Sequence, residues 1–137
     1  MSDQITGQDA SLGQVPRVSV VVPAYNPGDL LTRSLGSVLA QSMTDLEVVV
    51  VDDGSREPQG WVADLDARVT YVRQDNRGVS VARNVGVATA RSEWVAFLDQ
   101  DDEWLPDKLA MQLDVVAAGP RAAFCCTGFD WVLSSPR

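Results

Sequence analysis

Asp99, Asp101 and Asp102 fall within the short stretch FLDQDD (97–102), directly behind an apolar run. Carboxylates that close repel one another, and a hard cation between them makes the cluster tolerable. Magnesium and manganese prefer oxygen ligands, and magnesium commonly takes one or two carboxylates together with phosphate oxygens and water. Asp99 and Asp101 can both reach one small site from an irregular loop, so they are the candidate ligands of Mg2+ or Mn2+. Two other polar clusters stand in similar positions: PAYN (23–26) and DDGS (52–55). Each of the three also reads, alone, as an ordinary turn or helix cap, since Asn, Asp, Ser and Gly are turn residues and short motifs recur by chance.

What decides between these readings is the set of elements that position the clusters. Residues 17–23 (RVSVVVP) and 46–53 (LEVVVVDD) are continuous β-branched runs, the pattern of strands buried on both faces. Residues 68–74, 93–99 and 122–126 (AAFCC) are three further candidate strands. Helical spacing alternates with them. Leu31, Leu35 and Val38 repeat in the first helix, with Asn26 as cap and Pro27 in the first helical position. Val81, Val85 and Ala88 mark a helix over 78–90, with Ala82 beside them, and Leu109, Leu113 and Val116 mark one over 105–119. A weaker helix over 60–67 takes Trp61 as its apolar anchor. Strand and helix in alternation predict an α/β fold: a mostly parallel sheet with helices on both faces. Ligands of such sheets bind beyond the carboxyl ends of the strands. All three polar clusters fall at that edge, which chance turns would not arrange.

The stretch DNRGVSVARN (75–84) brings Arg83 and a helix N-terminus near Gly78 to the same edge. A helix N-terminus and a guanidinium both favour a phosphate. A salt bridge between elements is an equal reading for Arg83. No GxxxxGK[ST] and no GxGxxG is present, so neither the P-loop nor the dinucleotide fingerprint applies.

Composition sets the outer limits. The chain has 137 residues, 45% of them hydrophobic, with a net charge of −8. That suits one soluble globular domain and argues against nucleic acid or an anionic membrane surface as the main partner. With no histidine, histidine zinc sites and Ser-His-Asp or Cys-His catalysis are excluded within the chain. Cys125 and Cys126 are adjacent and read as reduced thiols in a buried strand. The expected location is the cytoplasm, with membrane association through a region outside this chain left open. Residues 1–16 read as a flexible tail and 17–137 as the folded domain.

The ordered motifs VSVVVPAYNPGDLLTRSLGSVLAQSMTDLEVVVVDDGS and NRGVSVARNVGVATARSEWVAFLDQDDEWLPDKL resemble the nucleotide-binding half of family 2 glycosyltransferases, from about Val18 to Leu113. The resemblance implies the Rossmann-like GT-A fold and a nucleotide-diphospho-sugar donor, a UDP-sugar being favoured over GDP or TDP. Pro23, Ala24, Tyr25 and Asn26 would line the nucleoside pocket. Asp53 would accept a hydrogen bond from the base, and Asp52 would support its loop. Asp99 and Asp101 match the family's Asp-x-Asp motif, Asp99 near ribose and metal and Asp101 as the main ligand of Mn2+ or Mg2+. Arg83 and Asn84 match the Arg-Asn pair of the mid-domain helix. The implied reaction is metal-assisted transfer with inversion to an unknown glycan, lipid or small-molecule acceptor.

The chain departs from the family in one respect. The catalytic base of family members stands well downstream of Asp-x-Asp, in an acceptor-binding half that is missing here. Asp130 is too close to serve, so no catalytic residue is assigned. Trp131 and Val132 read as packing surface for an absent element, and the domain reads as truncated. A binding fragment that holds a nucleotide-sugar without turnover is the alternative. A receiver-like regulator would need a lysine at a later strand end, which neither DQDD nor CCTG supplies.

Overall fold

The computed structural model describes residues 14–119 and 123–130. Its frame is a four-stranded sheet in the order β3-β2-β1-β4. The strands are β1 (Val18–Ala24), β2 (Leu46–Asp53), β3 (Val69–Gln74) and β4 (Trp94–Phe97). Every pairing is parallel, with Val20 beside Val48 and Ala96, and Val48 beside Val69. The β-branched runs explain the centre: all residues of β1 and β2 are buried. Burial on both faces requires cover on both faces, and the helices provide it.

Successive side chains of a strand point to opposite faces. Val20, Val22, Val48 and Val50 therefore face one way, where they pack with Leu31, Leu35 and Val38 of α1 (Leu30–Leu39) and Leu109 of α3 (Lys108–Ala118). Val21, Val49 and Val51 face the other way and pack with Ala82 of α2 (Val79–Thr89). The tight contact on that side is Gly86: a Cβ there would stand 2.2 Å from Val21 Cγ1. The buried residues of α2 are thus Ala82 and Gly86, while Ala88, expected on the packed face, is exposed. Small residues let the helix backbone lie directly on a sheet of valines.

Several expectations are corrected. Residues 123–130 form no strand; Phe124 and Cys126 are exposed, and Cys125 is only partly covered. This stretch runs beside α3, where Gln112 Nε2 donates to the Cys125 carbonyl at 3.5 Å. Among the described residues it pairs with no strand, although the outer edge of β4 is open, so apolar composition alone does not make it a strand. The weak second helix is a 3-10 turn, η1 (Gly60–Asp64), and its anchor is the buried Val62; Trp61 is 39% exposed. Helix α1 begins at Leu30, three residues after Pro27, because Asn26 (φ 46°) and Gly28 (φ 58°) turn the chain through left-handed conformations. Asn26 is therefore no cap. Trp131 and Val132 lie outside the described residues.

At the amino end of the sheet, Glu47 of β2 is buried and gathers three donors. Ser19 Oγ donates to it at 2.5 Å, and Arg91 donates from its backbone N–H at 2.7 Å and from Nε at 2.6 Å. This ties the α2–β4 connection to the strands and holds β4 in register beside β1.

Candidate functional site

The carboxyl edge of the sheet opens into a cleft of about 440 Å³. Pro23 and Ala24 of β1 line it with Tyr25 just beyond, and Asp53 lines it from β2. Asn76, Gly78, Val79 and Arg83 come from the β3–α2 corner, and Asp99, Gln100 and Asp101 from the loop after β4. The cleft lies where strand order reverses, since the chain passes outward from β1 to β3 and returns to the other side of β1 as β4.

Asp52 and Asp53 are neighbours with opposite orientations. Asp52 turns toward the α1 face and is fully buried. Its Oδ1 accepts from the Ser55 N–H at 2.8 Å; its Oδ2 accepts from the Gln59 N–H at 3.1 Å, the Tyr71 hydroxyl at 2.7 Å and Arg73 Nη1 at 2.7 Å. Burial pushes its carboxyl up, but these donors outweigh burial and hold it below the ordinary carboxylate range. Asp52 cannot touch a ligand in this arrangement; it braces the DDGS loop from beneath.

Asp53 turns toward the α2 face. Its Oδ1 accepts from Gln74 Nε2 at 2.7 Å and the Arg77 N–H at 2.8 Å, and its Oδ2 accepts from the Gly78 N–H at 2.8 Å. Burial again pushes upward, and the Arg77, Gln74 and Gly78 donors again win, leaving the carboxyl lowered and ionised at neutral pH. A carboxylate offers about four acceptor positions, so one remains beside the cleft. Gly54, at φ 77°, allows the two loops to dock: a Cβ there would meet Asn76 N at 2.7 Å.

The DQDD loop is held from below by a polar stripe on α1. Ser34 Oγ lies 2.7 Å from the Gln100 carbonyl and 2.6 Å from the Asp102 carbonyl, in donor position for both. Ser37 Oγ accepts from the Trp104 N–H at 3.0 Å. The Gln41 amide, just past α1, donates to the Leu105 carbonyl at 2.7 Å and accepts from the Leu109 N–H at 3.1 Å. Trp104 packs against the main core, with Lys108 Nζ 4.0 Å from its ring centre. With the backbone so pinned, Asp99 and Asp101 reach the cleft. Asp102 stands aside from it, and its carboxyl is pushed up by burial and by the charges of Asp101 and Asp99.

Of the residues singled out in the sequence, the cleft brings together Pro23, Ala24, Tyr25, Asp53, Arg83, Asp99 and Asp101. Asn26, Asp52 and Asn84 do not line it. Asn26 instead links two loops: its N–H donates to Ser55 Oγ at 2.9 Å and its Oδ1 accepts from the Arg56 N–H at 2.9 Å. Asn84 is exposed on α2. Arg83 donates from Nη2 to Asp99 Oδ1 at 2.6 Å, the salt-bridge reading of its two. Asn76, Val79 and Gln100 line the cleft without having been singled out. Gln100 had a signal in the sequence, its place between two candidate ligands; Asn76 and Val79 had none beyond adjacency to Gly78.

Two oxygen-donor carboxylates on one cleft, near a third carboxyl that feels their charge, fit a hard divalent cation. Among the described residues, no group of three His, Cys, Asp or Glu side chains stands ready to hold a metal by itself. An ion at Asp99 and Asp101 would take its other ligands from phosphate and water.

A parallel α/β sheet with its polar cleft at the strand-order reversal defines a Rossmann-like α/β domain. The family model for glycosyl transferase family 2 matches residues 19–132, and the chain belongs to that family. It is 43% identical over 117 residues to the succinoglycan biosynthesis protein ExoO of Rhizobium meliloti (strain 1021), covering 82% of this chain and 34% of that protein. It is 39% identical over 120 residues to the putative teichuronic acid biosynthesis glycosyltransferase TuaG of Bacillus subtilis (strain 168), covering 84% of this chain and 47% of that protein. The chain thus spans between a third and a half of these relatives. Among solved structures, S. aureus TarS 1-349 in complex with UDP-GlcNAc superposes with a TM-score of 0.68 at 28% identity, over 74% of this chain and 31% of that one. The mannosyltransferase PcManGT of Pyrobaculum calidifontis, in complex with GDP-Man and Mn2+, gives 0.66 at 32% identity, over 77% of this chain and 33% of that one. The parallel sheet with helices is the GT-A arrangement of these neighbours.

Proposed function

We propose that this chain is the donor-binding part of an inverting glycosyltransferase that draws on a nucleotide-diphospho-sugar, a UDP-sugar first, with Mg2+ or Mn2+ held by Asp99 and Asp101. The observation that carries this is the meeting of Asp53, Arg83, Asp99 and Asp101 in one cleft of a family 2 domain. Neighbours solved in complex with UDP-GlcNAc and with GDP-Man and Mn2+ support a nucleotide-sugar and a divalent ion.

Each residue has a role its geometry suits. Asp53 keeps one acceptor position for a ring N–H of the base, which uracil, thymine and guanine all present. Pro23, Ala24 and Tyr25 supply the wall on which the nucleoside rests. Arg83 and the amino end of α2 offer positive charge to the diphosphate. The bound ion would supply Lewis-acid stabilisation of the departing nucleoside diphosphate. Asp99 and Asp101 orient that ion, while Ser34 and Gln100 hold their loop still. Inversion calls for a carboxylate base on the acceptor side. None of the cleft carboxylates is free for it, since Asp53 is tied to the β3–α2 corner and the other two are the proposed ligands.

That last point favours a second reading, a fragment that binds donor without turnover. Calorimetric titration with UDP, TDP and GDP, each with and without Mn2+, tests the donor site. Manganese-dependent binding of one nucleotide is the expected result; no binding by a folded chain would sink it. Release of UDP from a UDP-sugar in the presence of acceptor glycans separates enzyme from binding fragment.

A further inference from the structure

Two Arg–Asp pairs stand at the carboxyl edge of the sheet, and they are built differently. Asp52 is fully buried and takes four donors, so Arg73 is one part of a closed network; Arg73 Nη2 also donates to the Ser55 carbonyl at 2.8 Å. Arg83 and Asp99 are 37% and 49% exposed, and both line the cleft. They meet through Nη2 alone rather than through a two-pronged fork. Arg83 Nε is buried and without a hydrogen-bond partner among the described residues. A guanidinium held at one corner, with a second donor unsatisfied, is incompletely served by its present partner. Water reaches both ends of the pair and weakens it, so exchange is easy.

We propose that Arg83 is the resident counter-ion of Asp99, which an incoming divalent cation displaces, and that the freed guanidinium then serves the donor diphosphate. The inference rests on the assignment of Asp99 and Asp101 as metal ligands. Each group exchanges one counter-ion for another. The metal ion replaces the guanidinium at Asp99, and the diphosphate replaces Asp99 at the guanidinium. Metal alone breaks the pair and leaves Arg83 with no anion. Metal and nucleoside diphosphate together give every charge a partner. Their binding is therefore coupled through Arg83, and each raises the affinity for the other.

The test is Mn2+ titration, by calorimetry and by the EPR signal of free Mn2+, on the wild-type chain, Arg83→Gln and Asp101→Ala, each with and without UDP. Arg83→Gln is expected to bind Mn2+ alone about two- to fivefold more tightly, as befits loss of an exposed ion pair. With UDP present its Mn2+ affinity falls below that of the wild type, so the coupling shrinks. Mn2+ binding to nucleotide-free Arg83→Gln that is no tighter than wild type, or an unchanged coupling, overturns the exchange. If Asp101→Ala has meanwhile lost Mn2+, the metal assignment survives and only the exchange falls. No Mn2+ uptake by wild type with UDP overturns both. A direct reading uses the 15N-labelled wild type, with the conservative Arg83→Lys variant needed only to assign the resonance. The Arg83 Nε–H resonance, assigned with Arg83→Lys, should move when Mg2+ and UDP are added together; a stationary resonance in nucleotide-saturated protein overturns the proposal.

Discussion

The side-chain amide of Gln100 brackets the backbone of Tyr25: its Oε1 accepts from the Tyr25 N–H at 2.7 Å, and its Nε2 donates to the Tyr25 carbonyl at 3.3 Å. The pairing of β1 with β4 ends at Val21 and Phe97, and the Leu98 N–H still donates to the Val21 carbonyl at 3.1 Å. Beyond that point the amide stands in for the next rung of the ladder. It joins the proposed nucleoside wall to the proposed metal loop and leaves the flanking Asp99 and Asp101 to the cleft.

Gln100→Leu removes both bonds at similar volume. Two net hydrogen bonds at about 1 kcal/mol each set an upper bound of about thirtyfold on the rise in the Kd for UDP with Mn2+. Calorimetry with and without Mn2+ checks this. If only the metal-free affinity changes, the amide does not position the loop.

Asp101→Ala should abolish Mn2+-dependent nucleotide binding while leaving the fold intact, because the side chain is exposed and Ser34 holds the loop through backbone carbonyls. Circular dichroism and calorimetry read the two halves of that statement. Retained Mn2+-dependent affinity would remove Asp101 from the metal site.

Gly86→Ala places a methyl group against Val21 of the sheet, where a Cβ would lie 2.2 Å from Cγ1. Overpacking of a tight contact costs about 1–3 kcal/mol. Urea denaturation should show the midpoint fall accordingly. Gly36→Ala on α1, where a Cβ meets nothing within 4 Å, is the control and should leave the midpoint level or higher.

Stability should fall in acid, and Glu47 should carry part of the loss. Burial pushes its carboxyl up, but Ser19 and Arg91 hold it below its ordinary value of 4.5. A folded-state pKa below the unfolded one gives stability that is complete above about pH 5 and is lost as pH falls through 4.5 and below. Asp52 and Asp53, lowered from 3.8, add the same sign at lower pH. Urea midpoints between pH 7 and pH 3 should decline less steeply in Glu47→Gln than in wild type. Parallel declines would show that Glu47 does not titrate differently on folding.

The sheet was legible in the sequence because its code is local. VSVVV and EVVVVD can be buried on both faces only as central parallel strands, and alternation with helices then sends the polar strand ends to one edge. Asp53, Asp99 and Asp101 thereby fall on one side of the molecule. AAFCC is the counterexample: among the described residues 123–126 pair with no strand although the outer edge of β4 is open, and composition does not report pairing. Asp52 and Asp53 show the same boundary at a single peptide bond. A strand's alternation separates them onto opposite faces, but only the packing of Tyr71 and Arg73 on one side and the Gly78 corner on the other makes Asp52 a brace and Asp53 part of the cleft. Gln100 with Tyr25, 75 residues apart, and Arg83 with Asp99, 16 apart, meet only once the sheet has closed. Which residues stand at the strand ends can be read from the chain alone, because periodicity and burial are properties of short segments. Which of them face one another across the cleft depends on loops and helices packed from distant parts of the chain, and so emerges only in the folded molecule.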